Sequence, residues 1–109
     1  TDLLSTEDQL NAYIAAYGEM HWTKCRVAFQ NFSFDDNLTS SIEVVDWGCG
    51  QGIASISLIE MLRERDKLNL LGKVTLVEPW DAALNRAYIN VDKATNHGIS
   101  ILFFTFSFP

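Results

Sequence analysis

The sequence predicts an α/β fold built on a parallel sheet, and three observations carry that expectation. From Ser41 onward, short β-branched segments alternate with helical stripes in the order strand, helix, strand, helix, strand. A glycine triplet, Gly48, Gly50 and Gly52, stands directly between the first strand and the helix after it. The strands are nearly continuous apolar runs, the pattern of parallel strands covered on both faces. Parallel neighbours need a crossover, usually a right-handed one through a helix, and the helical stripes supply it.

Taken in order, Ser5 or Thr6 is placed to cap a first helix, with Glu7 and Asp8 at its positive end. Leu10, Tyr13, Ile14 and Tyr17 fall on one helical face. Gly18 interrupts that stripe, and a second one runs through Trp22, Cys25, Phe29 and Phe32. Residues 1–40 are therefore expected to form an N-terminal segment of helices, with a polar loop over Ser33 to Ser41. Ile42 to Trp47 reads as the first strand, broken at once by Gly48. Ile53 to Asp66 reads as a helix that turns Ile56, Ile59 and Leu62 inward. Gly72 suits a turn, Lys73 to Glu78 is the second strand, and Pro79 ends it. Trp80, Ala83, Leu84, Ala87, Tyr88 and Val91 give the most regular helical stripe in the chain. Asn96, His97 and Gly98 make a turn, and Ile99 to Phe104 is the third strand.

Composition narrows the function classes. The chain has 109 residues and a net charge of −6, with eight acids and two bases in residues 1–46 and six of each thereafter. Binding to a nucleic-acid backbone draws its strength from Lys and Arg neutralising phosphates, so this acidic chain without a basic stripe is a poor candidate. Cys25 and Cys49 have no paired spacing, so neither a metal site nor a disulfide framework is expected, and free thiols fit a reducing cytoplasm. No basic-then-apolar leader and no run approaching the ~20 residues of a membrane span is present. His21 and His97 lack companion ligands and read as ordinary surface or turn residues. The chain starts at Thr1 and closes on an apolar stretch from Ile101 to Phe108, so it reads as part of a longer protein.

One segment carries chemistry: Val44-Val45-Asp46-Trp47-Gly48-Cys49-Gly50-Gln51-Gly52. A strand runs into Gly-x-Gly-x-Gly and straight into a helix. Glycines there allow positive φ and a close ligand approach, at the carboxyl end of a strand where open parallel sheets bind ligands. A dinucleotide loop wants Gly-x-Gly-x-x-Gly, which would put glycine at position 53, and that residue is Ile53. A tight turn with no ligand is the plain alternative, and Asp46 taken alone is also placed to cap the next helix.

The pattern resembles motif I of the class I S-adenosylmethionine-dependent methyltransferases: apolar, apolar, Asp, any, Gly, any, Gly, any, Gly. That family's second signature is an acid closing the second strand, and Val77-Glu78 supplies it. The resemblance covers roughly residues 41–104 and implies a partial doubly wound parallel sheet of three strands, order 3-2-1, with crossover helices. It implies that Gly48, Gly50 and Gly52, with Cys49 among them, form the loop under the methionine and ribose of the cofactor. Asp46 would orient the methionyl amine, and Glu78 would accept hydrogen bonds from the ribose hydroxyls. Pro79 and Trp80 would pack on the adenine, though Trp80 also opens the apolar stripe and suits the core equally. Cys49 has no base partner in view and is a small loop residue before it is a nucleophile. Tyr17, Gly18 and His21 are candidates for a helix folded over the cofactor.

The implied function is methyl transfer from S-adenosyl-L-methionine to an unknown acceptor, with residues 41–109 as the truncated cofactor-binding half of the domain. Catalytic residues in the family usually follow the fourth strand, beyond Pro109, so none is named and the segment alone is expected to be inactive. The family's adenine-reading acid or amide after the third strand has no counterpart in Phe104-Thr105-Phe106-Ser107-Phe108-Pro109. With no fourth strand beside it, Ile42 to Trp47 becomes an apolar edge, and self-association is expected. A methyltransferase-like scaffold without catalysis is the alternative, and a nicotinamide-dependent oxidoreductase ranks below both because of Ile53.

Overall fold

Thr6 caps the first helix: its hydroxyl accepts from Gln9 N while Gln9 Oε1 accepts from Thr6 N, both at 3.2 Å. The structure, a computed structural model, describes residues 6–33 and 41–106. Ser5, most of the polar loop and the last three residues of the expected tail lie outside the described residues. Helix α1 spans Glu7–Gln30 without a break. The two helices expected around Gly18 are thus one, and Gly18 sits inside it. A glycine in a helix interior costs only about 1 kcal/mol, which ties at both ends of α1 outweigh. At its C-terminal end, Arg65 donates from Nη2 to the carbonyls of Phe29 (3.3 Å) and Gln30 (3.0 Å), and from Nη1 to that of Phe32. The Phe29 carbonyl also accepts from Phe32 N at 3.0 Å, so the guanidinium adds a second donor there and clamps the end of the helix.

Strand β1 (Ile42–Trp47) and helix α2 (Ile53–Glu64) follow, then a short 3-10 turn at Leu68–Leu70. Strand β2 (Leu71–Val77), helix α3 (Asp81–Ala94) and strand β3 (Ser100–Phe104) complete the described chain. The three strands form one parallel sheet in the order β1-β2-β3, so the α/β class and strand order agree with the expectation. Gly72 corrects it: the residue is the second of β2, not part of a turn. The β1–β2 register slips between Ile42 and Glu43, where Gly72 is the extra residue on β2. A Cβ there would stand 2.8 Å from the Cβ of Ser41, so the close approach demands glycine.

Ile59 and Leu62 of α2, Leu84, Ala87 and Val91 of α3, and Val74 and Leu76 of β2 meet in the core. Right-handed crossovers between strands laid down in chain order put α2 and α3 on the same face, and the two helices touch. Among the described residues no helix covers the opposite face, which corrects the expectation of strands covered on both sides. Val45 and Trp47 there are 66% and 70% exposed, and Leu102 and Phe104 share that face by register. Trp47 stacks on Phe106 with ring centres 5.3 Å apart.

Candidate functional site

The carboxyl end of β1 opens directly into the glycine loop. Gly48, Gly50 and Gly52 all have left-handed φ, at 68°, 55° and 90°. Two amides at the start of the loop, Gly48 N and Cys49 N, both donate to the Val77 carbonyl at the end of β2. This pins the loop to the neighbouring strand. The glycines divide by role. A Cβ on Gly48 or Gly50 would meet nothing within 4 Å, so the space in front of them is open to a ligand. One on Gly52 would press within 3.1 Å of Val91 Cγ2 and 3.3 Å of Ala87 Cα. Gly52 is there so that α2 can start hard against α3.

Glu78 follows β2 and reaches back to the loop. Its Oε1 accepts from Gly50 N at 2.9 Å and its Oε2 from Trp80 N at 3.1 Å. The residue is only 6% exposed. A carboxylate offers about four lone-pair sites, so one remains on each oxygen for a further donor. Asp46, at the end of β1, is half-buried and accepts from Ser55 Oγ at 2.6 Å. Burial pushes its carboxyl pKa up, and the hydrogen bonds from Ser55 pull part of the way back. Cys49 is buried, and its thiol is pushed up to about 12 by that burial, with the carboxylates of Asp46 and Glu78 adding to it. A thiol held protonated in this way is a loop residue, not a nucleophile.

Above the loop lies α1. A cavity of about 210 Å³ is lined by Tyr13, His21 and Cys25 on the helix side and by Gly48, Cys49 and Gly50 on the loop side. Ligand pockets run to roughly 300–1,000 Å³, so this one accommodates part of a ligand. Tyr13 Oη lies 2.6 Å from His21 Nε2, their rings stack within 11° of parallel, and Tyr17 tilts against both. Buried Gln51 ties the helix down: its Nε2 donates to the Leu10 carbonyl at 3.0 Å. Arg86 of α3 donates to Gln51 Oε1 and pairs with Glu7, and Asn90 donates to the Gln51 carbonyl.

Of the residues the sequence singled out, Gly48, Cys49, Gly50 and Glu78 come together at the loop, and Asp46 sits beside Ser55 at the start of α2. Trp80 is half-buried and caps α3 with its backbone, next to half-buried Pro79. Of the proposed lid residues, His21 lines the cavity, Tyr17 touches it only through the rings of Tyr13 and His21, and Gly18 does not line it. Tyr13, Cys25, Gln51 and Ser55 are the members that sequence reasoning missed. A signal for the first two is legible: Tyr13, Tyr17, His21 and Cys25 recur every fourth residue, one row along a helix.

A larger groove of about 410 Å³ lies between the C-terminal half of α1 and the end of α2. Arg26 pairs through Nη2 with Glu64 and lies over the face of Trp22, its buried Nη1 has no hydrogen-bond partner among the described residues, and Arg65 is bonded to the end of α1. It is a joint between helices. Among the described residues no cluster of His, Cys, Asp or Glu could hold a metal ion, and no helix is long and apolar enough to cross a membrane. Compared with known proteins, the chain matches no family model and no curated sequence.

Proposed function

We propose that this chain is the cofactor-binding portion of an S-adenosylmethionine-dependent methyltransferase. The observation that carries the reading is the junction of Glu78 with the open glycine loop: a buried carboxylate with a free lone pair on each oxygen, beside Gly50. Two vicinal hydroxyls, as on a ribose, match that pair of acceptors. The open space over Gly48 and Gly50 admits the rest of the ligand, and the cavity under α1 has no Lys or Arg in its lining to repel a cation. A phosphate-bearing dinucleotide would find no Lys or Arg side chain in that lining. When bound, the cofactor supplies a methyl group on a positively charged sulfur. The chain's own residues bind and orient it: Glu78 at the ribose, the glycine loop beneath, and α1 as the wall that excludes water. The unpaired thiols Cys25 and Cys49 favour a reducing compartment, the cytoplasm.

Titration calorimetry of this chain with S-adenosylmethionine and with its demethylated product, S-adenosylhomocysteine, tests the reading. Binding of both is expected, weakened tenfold or more by Glu78→Ala, since a hydrogen bond to a charged group contributes about 1.5–3 kcal/mol. Glu78→Gln, which keeps an acceptor oxygen, is expected to lose less. A folded chain that binds neither ligand overturns the proposal and leaves the scaffold reading.

A further inference from the structure

The pair at the top of the cavity has a property that the cofactor reading does not use. His21 is the one lining side chain of a type that gains a charge in mildly acidic solution; tyrosines and thiols do not. From α1, Tyr13 and Cys25 line the cavity with it, Tyr17 leans on its ring, and exposed Lys24 follows within one turn. The loop brings Cys49, with Asp46 and Glu78 close enough to act on that thiol, and α2 brings Ile53 and Ala54, which do not titrate. Lysine side chains stay charged throughout the mildly acidic range, so Lys24 is a constant background.

Resting on the methyltransferase reading, we propose that the Tyr13–His21 pair makes this site discriminate by ligand charge. The sulfonium cofactor is held in preference to its neutral thioether product while His21 is neutral, and the preference declines when His21 takes up a proton.

The geometry gives the reason. With His21 neutral and its proton on Nδ1, Nε2 accepts the Tyr13 hydroxyl proton across the 2.6 Å that separates the two atoms. The cavity then meets a phenolic oxygen with free lone pairs and two aromatic faces, an environment that attracts a cation. Protonation makes both ring nitrogens donors, so the phenol must turn to accept, and a positive charge now faces the ligand. A sulfonium is repelled and a thioether is not. Linkage is reciprocal: the sulfonium ligand must lower the proton affinity of His21 by the same factor by which the proton weakens the ligand.

Calorimetry with S-adenosylmethionine and S-adenosylhomocysteine at about pH 5.5 and about pH 7 brackets the ordinary imidazole range and stays below the ligands' shared amine. On acidification the affinity ratio is expected to move toward the thioether by about threefold to tenfold, the size of two like charges facing across a partly solvated cavity. His21→Gln, which keeps an acceptor for Tyr13, is expected to flatten the change. In the unmodified chain, proton NMR of the imidazoles should show His21 titrating lower with the sulfonium than with the thioether, while His97, in the turn after α3, does not respond. Thioether binding with a ratio unchanged by pH, or equal His21 midpoints with the two ligands, overturns this proposal and spares the cofactor reading. Absence of binding by either ligand overturns both.

Discussion

Gln51 donates from its side-chain amide to the main-chain oxygen of Leu10 across 3.0 Å, joining residues 41 positions apart. Leu10 is the one buried residue of α1, so this bond and the Glu7–Arg86 pair hold the N-terminal half of the helix over the glycine loop. Replacing Gln51 with Ala removes this added donor to the Leu10 carbonyl, which keeps its place in the helical ladder, together with the contact to Arg86. The expected loss is about 0.5–1.5 kcal/mol, the net contribution of a typical hydrogen bond. Hydrogen exchange is expected to speed up across the first half of α1, with β2 little changed. Equal acceleration in both would show that the bond does not act locally.

The glycines of the loop are expected to differ sharply on substitution. Gly48→Ala costs only the left-handed backbone penalty, about 1–2 kcal/mol, because its Cβ enters open space. Gly52→Ala bears that penalty and an overlap with Ala87 and Val91, about 1–3 kcal/mol more. Urea denaturation of the two variants measures the gap, and equal losses would contradict it.

Asp46 links stability to pH. Its native pKa is raised, so between the ordinary value of about 3.9 and the native one the folded state holds a proton that the unfolded state has released. Its contribution to stability is full below that window and is lost as pH rises through it. Asp46→Asn removes the dependence. Relative to this variant, the unmodified chain is expected to gain stability on going from about pH 7 to about pH 4, read from unfolding curves at each pH. A constant difference between the two proteins would refute the assignment.

Among the described residues β1 pairs with β2 alone, and Val45 and Trp47 lie open on the bare face of this edge strand. Exposed apolar edges template pairing with other chains. Sedimentation velocity is expected to show concentration-dependent association, reduced by Val45→Lys. A wild-type chain that stays monomeric at high concentration would rule this out.

Where one residue decided a local structure, the sequence was easy to read. Gly48 ends β1, and the strand runs over Ile42–Trp47 as expected. The stripe through Ala83, Leu84, Ala87 and Val91 is the buried face of α3. Glu78 meets the glycine loop, a long-range contact that the paired motifs implied. Glycines with two available meanings were misread. Gly18 has the composition of a break, but tertiary ties at Leu10 and Arg65 carry the helix through it. Gly72 has the composition of a turn, but its task is to let β2 pass close to Ser41, a constraint written in another segment. Tyr13 reads from the sequence only as a member of a helical stripe, because periodicity gives the face of a helix and not what that face meets. The buried hydrogen bonds of Gln51 left no trace in local pattern, since its partners lie on α1 and α3.

The sheet grows in chain order, and that has a kinetic consequence. Each strand docks beside the one just before it through a single crossover, so the β1–β2–β3 unit closes only short loops as it forms. The N-terminal half of helix α1 is attached by bonds of longer reach, Leu10 to Gln51 and Glu7 to Arg86, which are 41 and 79 positions apart. The N-terminal half of α1 is therefore expected to dock late, onto a sheet already assembled. Weakening its anchors is then expected to hasten unfolding and leave the folding rate nearly unchanged, as for contacts absent from the transition state, which stopped-flow folding and unfolding rates of the Gln51→Ala chain would measure. On this order the wall of the cavity arrives last and leaves first.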